Sequence, residues 1–235
     1  MNEGAARLLD IKRIHQEGRD IRAFDMLPSD STDATHDISF VAGQVALLKT
    51  GNERPSYFAI ASAPEDEELE FLIKRTDVGA GRLIYAMQPG DRVELVAVVG
   101  RGFSMDEHKG RDLVFVAMGT GVAPLRSALR HALARAGDFG QIVVLYGART
   151  PEDFCYRDEV EDWRAAGVEL RQVISRPDGF EWSGPTGYVQ SLLDTVLPNL
   201  SDPVALICGS REMMEQTRDR LREMGFAPEA ILTNY

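Results

Sequence analysis

The residues best suited to chemistry in this chain stand around Gly119-Thr120-Gly121, with Pro124 three positions on. Two glycines one residue apart permit unusual backbone angles and let a ligand approach with no Cβ in the way. An apolar run, Leu113–Met118, leads into them, and Leu125, Leu129 and Leu133 follow at helical spacing. The order is strand, glycine turn, helix. Pro124 suits a first helical turn, where the amide it lacks would have had no partner. Free amides at the helix start, with the positive end of its dipole, then make a place for an anion such as a pyrophosphate. A lone Gly-x-Gly fits a bare turn equally well.

Three more apolar runs end in glycine or polar residues: Gly147-Ala148-Arg149, Ser175-Arg176 and Cys208-Gly209-Ser210. In a parallel sheet ligands gather beyond the carboxyl ends of strands, so four such ends form one rim and point to a nucleotide site. An acid at the end of the second strand would hydrogen-bond a ribose 2′-hydroxyl. Arg149 stands there instead and tolerates or prefers a 2′-phosphate, unless it caps a helix or pairs with Glu152. Earlier in the chain, Tyr57-Phe58-Ala59-Ile60-Ala61-Ser62 alternates bulky and small groups, leaving room for a flat ligand. Ile73-Lys74-Arg75 precedes Gly79-Ala80-Gly81-Arg82, a flexible turn among cations that could hold a diphosphate by amides and by Lys74, Arg75 or Arg82. A barrel corner is the simpler reading of that turn. His15, His36, His108 and His131 lack metal-ligand spacing, and no metal is expected.

Two kinds of element must position these residues. Over the first hundred residues short apolar runs recur between turn formers: Leu8–Ile14, Ile21–Leu27, Ile38–Leu48, Tyr57–Ser62, Leu69–Lys74 and Arg92–Val98, with one short helix near Leu83–Met87. This texture predicts an antiparallel β-barrel. The segment Pro28–Asp37 reads as an exposed loop and the acidic run Glu65–Glu70 as the solvated turn of a hairpin. Beyond Arg101–Arg111 strands at Leu113–Met118, Ile142–Tyr146, Val168–Ile174 and Val204–Cys208 alternate with helices at Pro124–Ala136, Pro151–Ala166, Tyr188–Leu197 and Glu212–Met224. That alternation predicts an α/β domain with a parallel sheet. The expected division is residues 1–107 and 108–235.

Bulk composition narrows the function. A formal net charge of -11 over 235 residues removes the phosphate-neutralising surface that nucleic-acid binding needs. Two cysteines, Cys155 and Cys208, are too few for a disulfide framework or an iron-sulfur cluster. No apolar run reaches membrane-spanning length, and MNEGAARLLDIKR lacks the apolar core of a secretion signal, so a reducing, cytoplasmic setting is expected.

The blocks together resemble the ferredoxin-NADP reductase superfamily, which joins a flavin-binding β-barrel to an NAD(P)-binding α/β domain. Phe40–Leu48 is similar to its Pro-Gly-Gln strand, with Ala42 in place of proline. Ile60-Ala61-Ser62 resembles the end of its flavin strand, Gly100–Phe103 its junction turn and Gly119–Pro124 its Gly-Thr-Gly-x-x-Pro signature. Tyr146–Arg149 and Cys208-Gly209 with Met213-Met214 match two further blocks in order. The pattern Ala-Ile-Ala-Ser-x-Pro and the segment Gly187–Gln190 are most similar to plant fruit-protein-like FAD/NAD(P)-binding oxidoreductases. The family's Arg-x-Tyr-Ser is replaced by Ser56-Tyr57-Phe58-Ala59, with Arg54 displaced by two positions.

The resemblance implies a flavoprotein oxidoreductase that moves reducing equivalents between NAD(P)H and an outside acceptor through FAD, with a small electron-carrier protein as a possible partner. It implies that Cys208 lies beside the nicotinamide and that the terminal Tyr235 covers the flavin. Ser175, Arg176 and Tyr188 resemble the grip on a 2′-phosphate, with Thr186 where a lysine is usual, and NADP is favoured slightly over NAD. The altered flavin strand leaves a rival: a non-catalytic nucleotide-binding module with weakened or lost flavin binding.

Overall fold

A computed structural model describes residues 7–29 and 38–234. The first half is an antiparallel sheet of β1 (Arg7–Gly18), β2 (Ile21–Pro28), β3 (Val45–Lys49), β4 (Ser56–Ala59), β5 (Leu69–Lys74) and β6 (Arg92–Val99), ordered β4-β3-β6-β1-β2-β5. Its two edges are tied together, because Ile60 bridges Phe71 and the Ala61 amide donates to the Glu70 carbonyl at 2.8 Å. The sheet therefore curls into a barrel. Register irregularities in β1, between Ile11 and Arg13 and between Gln16 and Gly18, supply the extra bend that closure needs. Inward residues Leu9, Ile11, Phe24, Met26, Leu48, Ile60 and Phe71 fill it. Helix α1 (Gly79–Tyr85) adds Ala80 and Ile84 to that core.

Strand β3 is shorter than the run Ile38–Leu48 implies. Gly43 sits at φ +82°, and the Gln44 amide turns back to the Val41 carbonyl at 3.0 Å, so extended pairing starts only at Val45. The acidic run is also less solvated than expected. Asp66 accepts from the Ala63 amide and from Arg130, while Glu70 is largely buried within β5. Both face a domain interface that sequence spacing does not reveal.

The second half is a parallel sheet of β7 (Leu113–Met118), β8 (Ile142–Ala148), β9 (Glu169–Ile174), β10 (Val204–Cys208) and β11 (Ile231–Leu232), ordered β11-β10-β7-β8-β9. Helices α2 (Val122–Ala134), α3 (Val160–Ala165), α4 (Leu193–Val196) and α5 (Arg211–Glu223) accompany it. β7 lies at the centre with residues 113–117 wholly buried, as its unbroken apolar sequence requires. Strand order runs outward through β8 and β9, then returns to β10. The reversal leaves a crevice at the carboxyl ends of β7 and β10.

Two expected helices break. In Pro151–Ala166 a 3₁₀ turn over Pro151–Asp153, closed by the Asp153 carboxylate on Thr150, is followed by Tyr156 at φ +59° and a second 3₁₀ turn over Arg157–Glu159, and only α3 is α-helical. The Tyr156 amide is drawn to Glu17 of the barrel at 2.5 Å, a tertiary contact that overrides local preference. Tyr188–Leu197 gives a 3₁₀ turn and the four-residue α4. Helix α5 agrees closely, capped by the Ser210 hydroxyl on the Met213 amide at 3.2 Å. The two-residue β11 is too short to leave a pattern. No helix among the described residues is long and apolar enough to cross a membrane.

Candidate functional site

The crevice is built by backbone contact. Gly119–Gly121 forms a 3₁₀ turn leading into α2, with Gly119 at φ +56°. The buried Tyr146 hydroxyl on β8 donates to the Gly119 carbonyl at 3.1 Å and accepts from the Cys155 amide at 3.2 Å, fixing the turn. A Cβ on Gly121 would stand 2.4 Å from the Cys208 carbonyl oxygen and 2.8 Å from Gly209 Cα. The turn and the end of β10 therefore touch as only glycine allows. At Gly209 the nearest neighbours are side-chain atoms: a Cβ there would lie 2.3 Å from Met213 Cε and 3.0 Å from Met118 Cβ. Thr120 is half-buried and Pro124 is buried in the first turn of α2.

Cys208 ends β10 at this rim, half-buried. Burial pushes its thiol up to about 12, with the Gly209 amide opposing; burial also pushes the Cys155 thiol up to about 12, with Tyr146 opposing. Both are uncharged thiols at neutral pH, so Cys208 meets the crevice as a soft, uncharged group rather than a nucleophile. Native protein at pH 8 is expected to alkylate with iodoacetamide at both cysteines far more slowly than unfolded chain, as peptide mass spectrometry can check. Labelling of either at the rate of a free thiol would contradict the burial. Because folding raises both values from 9.0, stability attributable to these thiols is lost as pH climbs from about 9 toward 12.

The far end of the rim is continuous with this. The Ser175 amide donates to the Ala148 carbonyl at 3.0 Å, the Arg176 amide to the Arg149 carbonyl at 2.8 Å, and the Gly187 amide to the Ile174 carbonyl at 2.9 Å. Arg149, Ser175, Arg176 and Tyr188 are thereby gathered past β8 and β9. Both arginines are exposed, and the Tyr188 ring is 70% exposed. Glu152, a possible partner for Arg149, instead pairs with Arg19 of the barrel at 2.7 Å.

On the barrel, Tyr57 faces outward and is 71% exposed, while Phe58, opposite Ala46, packs against the barrel core. Phe58 reaches the turn Gly79–Arg82 among the cations, where a Cβ on Gly81 would lie 3.8 Å from its ring and 3.0 Å from Thr76 Oγ1. Gly79, at φ +74°, opens α1 with no side-chain cap; Ala80 and Gly81 are buried, and Lys74 and Arg82 are exposed. Val78 before it is 78% exposed. Exposed apolar groups on β4 and at α1, beside an uncapped glycine turn flanked by cations, fit a flat ring with a diphosphate tail. Ala59 is half-buried. The side chains of Ile60, Ala61 and Ile73 are wholly buried, so only their backbone faces a ligand, and the Ser62 hydroxyl turns inward to accept the Glu70 amide at 3.0 Å. Tyr235 lies outside the described residues. Asn234 before it is buried and donates to the Gly43 carbonyl at 3.1 Å, at the junction of the two halves.

Sequence reasoning missed the polar group behind the flavin strand. Arg126 of α2 is 6% exposed and bound by Glu70 and Glu159; its guanidinium lies 4.4 Å from the centroid of the Tyr156 ring. Burial raises Glu70, with Arg126 opposing. A cavity of about 510 Å³ borders these residues. The one available signal was an arginine within the apolar stretch of a helix; its partners lie 33 to 65 residues away.

Residues 115–219 match the model of the oxidoreductase NAD-binding domain. Ferredoxin-NADP reductase B of Sorangium cellulosum is 35% identical over 199 residues, covering 79% of this chain and 81% of that protein. Fruit protein pKIWI502 of Actinidia deliciosa is 32% identical over 189 residues, covering 76% of this chain and 59% of that longer protein. Among solved structures, a ferredoxin NADP+ reductase from Neisseria gonorrhoeae with bound FAD and NADP superposes with a TM-score of 0.82 at 21% identity, covering 99% of this chain and 100% of that one.

Proposed function

The chain belongs to the ferredoxin-NADP reductase family of FAD-dependent NAD(P)H oxidoreductases, and we propose that it passes reducing equivalents between NAD(P)H and a separate electron acceptor, its two nucleotide sites facing each other across the domain junction. The observation that carries this is the backbone contact of Gly121 with Cys208-Gly209 at the reversal of strand order, in a fold whose other half presents the Tyr57 and Gly79–Gly81 surface. FAD bound here would supply the hydride and single-electron chemistry that links the nicotinamide to the acceptor. The protein supplies placement and charge. Tyr57 offers an aromatic plane to the flavin, the peptide groups of Ala59–Ser62 line its edge, and Lys74, Arg82 and the α1 start offset the diphosphate.

On the other side Gly119–Gly121 and the start of α2 receive the dinucleotide diphosphate, and Cys208 and Gly209 border the nicotinamide as uncharged groups. Tyr235 is assigned the covering role over the flavin. We place the domain boundary at 107/108. The two free cysteines fit a reducing, cytoplasmic setting. A one-electron acceptor comes from outside, since the chain holds too few cysteines for a cluster of its own, and a small electron-carrier protein is the candidate.

Arg149 and Arg176, adjacent at the far rim, favour a 2′-phosphate, and NADPH is the preferred donor by a small margin. Ferricyanide reduction by FAD-loaded protein with NADPH and with NADH tests both donor use and preference. Arg176→Ala is expected to raise the KM for NADPH about tenfold and that for NADH less than about twofold. Equal losses with both donors would remove Arg176 from the choice, and turnover with neither would remove the proposed activity.

A further inference from the structure

Arg126 stands in the second turn of α2, the helix that begins at the dinucleotide turn, yet its guanidinium works on the other domain. Nη1 donates to the Ala61 carbonyl at 2.9 Å and lies 2.9 Å from Glu70 Oε2, both in the barrel. Nε meets both Glu159 oxygens, at 2.9 and 3.0 Å, and Nη2 also bonds that carboxylate. The next residue repeats the reach: Ser127, wholly buried, donates from Oγ to the Ser62 carbonyl at 2.6 Å and accepts from the Gly43 amide at 3.1 Å. Two consecutive residues of the dinucleotide helix thus grip two consecutive carbonyls at the end of the flavin strand. No backbone hydrogen bond joins these two elements among the described residues, so the side chains set their relative offset.

The connection closes on itself. The Arg126 guanidinium lies against the Tyr156 ring; Tyr156 follows Cys155, whose amide holds the Tyr146 hydroxyl, which in turn holds the Gly119 carbonyl. A slide of the flavin strand against α2 must break a buried, charge-assisted bond. Such bonds are the strong ones, and leaving a buried partner unmatched is costly. Other ion pairs cross the same junction, such as Arg130 with Asp66 at 2.7 and 2.9 Å and Arg19 with Glu152, but these are more exposed and do not touch the strand carbonyls.

Hydride transfer requires reacting atoms about 3–3.5 Å apart, and a misplacement of about 1 Å costs roughly 10²-fold. Here the two rings belong to different domains. We propose that Arg126 and Ser127 are positioning residues that set the offset of nicotinamide against flavin by holding the Ala61 and Ser62 carbonyls to the dinucleotide helix. The inference rests on the flavoprotein reading above.

The test compares FAD-loaded wild type with Arg126→Lys, Ser127→Ala and Arg130→Gln. Lysine keeps the charge opposite Glu70 and Glu159, but a single ammonium cannot span three acceptors in a planar fork. Three quantities are read: affinity for FAD, affinity for NADP+, and the change that saturating NADP+ makes in the flavin absorption bands, which reports ring contact. The rate at which NADPH bleaches the flavin is measured beside them.

In Arg126→Lys and Ser127→Ala both affinities are expected to stay within about threefold, the spectral change to fall by more than about half, and bleaching to slow by at least about tenfold. Arg130→Gln is expected to leave all four unchanged. If Arg126→Lys fails to fold, Ser127→Ala decides alone. An unaltered spectral change and bleaching rate in the folded variants would overturn the proposal. Equal losses in Arg130→Gln would also overturn it, since any loosening of the junction would then suffice. A wild type that takes up no FAD removes the flavoprotein reading itself, before any variant is compared.

Discussion

Gly121→Ala is expected to weaken NADP+ binding by about 10- to 100-fold while leaving FAD binding unchanged. The backbone there, at φ -62° and ψ -10°, is one alanine adopts freely, so the effect does not come from conformational strain. It comes from space. The added methyl would sit 2.4 Å from the Cys208 carbonyl oxygen, 2.7 Å from its carbon and 2.8 Å from Gly209 Cα. All three are main-chain atoms at the end of a central strand, unable to rotate away as a side-chain tip would. Either the dinucleotide turn or the rim of β10 must move, and overpacking of this kind costs about 1–3 kcal/mol. Both pieces face the same ligand, so either displacement spoils its diphosphate or nicotinamide contacts. Calorimetric titration with NADP+ checks this, and unchanged affinity would show that the turn does not carry the dinucleotide.

The second large effect lies at the junction. Gly43→Ala is expected to destabilise the fold by about 2–4 kcal/mol, adding a left-handed backbone penalty to overpacking. Gly43 has φ +82°, and a Cβ there would stand 2.4 and 2.6 Å from the Phe103 ring and 3.2 Å from the Pro124 carbonyl. Phe103 is buried to 1% and cannot swing out. Both backbone groups of Gly43 are also engaged, the amide with Ser127 and the carbonyl with Asn234. At about 2–4 °C per kcal/mol for a chain of this size, the melting temperature should fall by roughly 5–15 °C. A thermal scan with a shift below about 2 °C would contradict this packing.

What was legible beforehand follows from where the determining forces lie. β5, β7 and β10 have the bounds that their apolar runs imply, because a strand bounded by turn residues announces itself locally. The rim of the crevice was legible for the same reason: Gly119 takes a left-handed backbone at φ +56°, and Gly121 marks a close main-chain approach that only glycine permits. Helix Pro151–Ala166 was not, since Tyr156 owes its left-handed conformation to Glu17 and Arg126 from distant segments. Glu70 read as a surface charge because nothing near it in sequence discloses a buried arginine 56 residues later. Ser62 shows the limit on the flavin side. It closes a run whose small groups leave room for a flat ligand, but its hydroxyl is turned toward the Glu70 amide by the β4–β5 closure, a contact that the run itself does not disclose.

The most direct measurement is an equilibrium titration of the purified chain with FAD, followed by anaerobic addition of NADPH to the separated complex. An equimolar uptake of FAD and bleaching of its visible absorption on NADPH addition are expected. Protein that binds NADP+ yet takes up no FAD, or takes it up and is not bleached by NADPH or NADH, would contradict hydride passage across the junction and leave a nucleotide-binding module in its place.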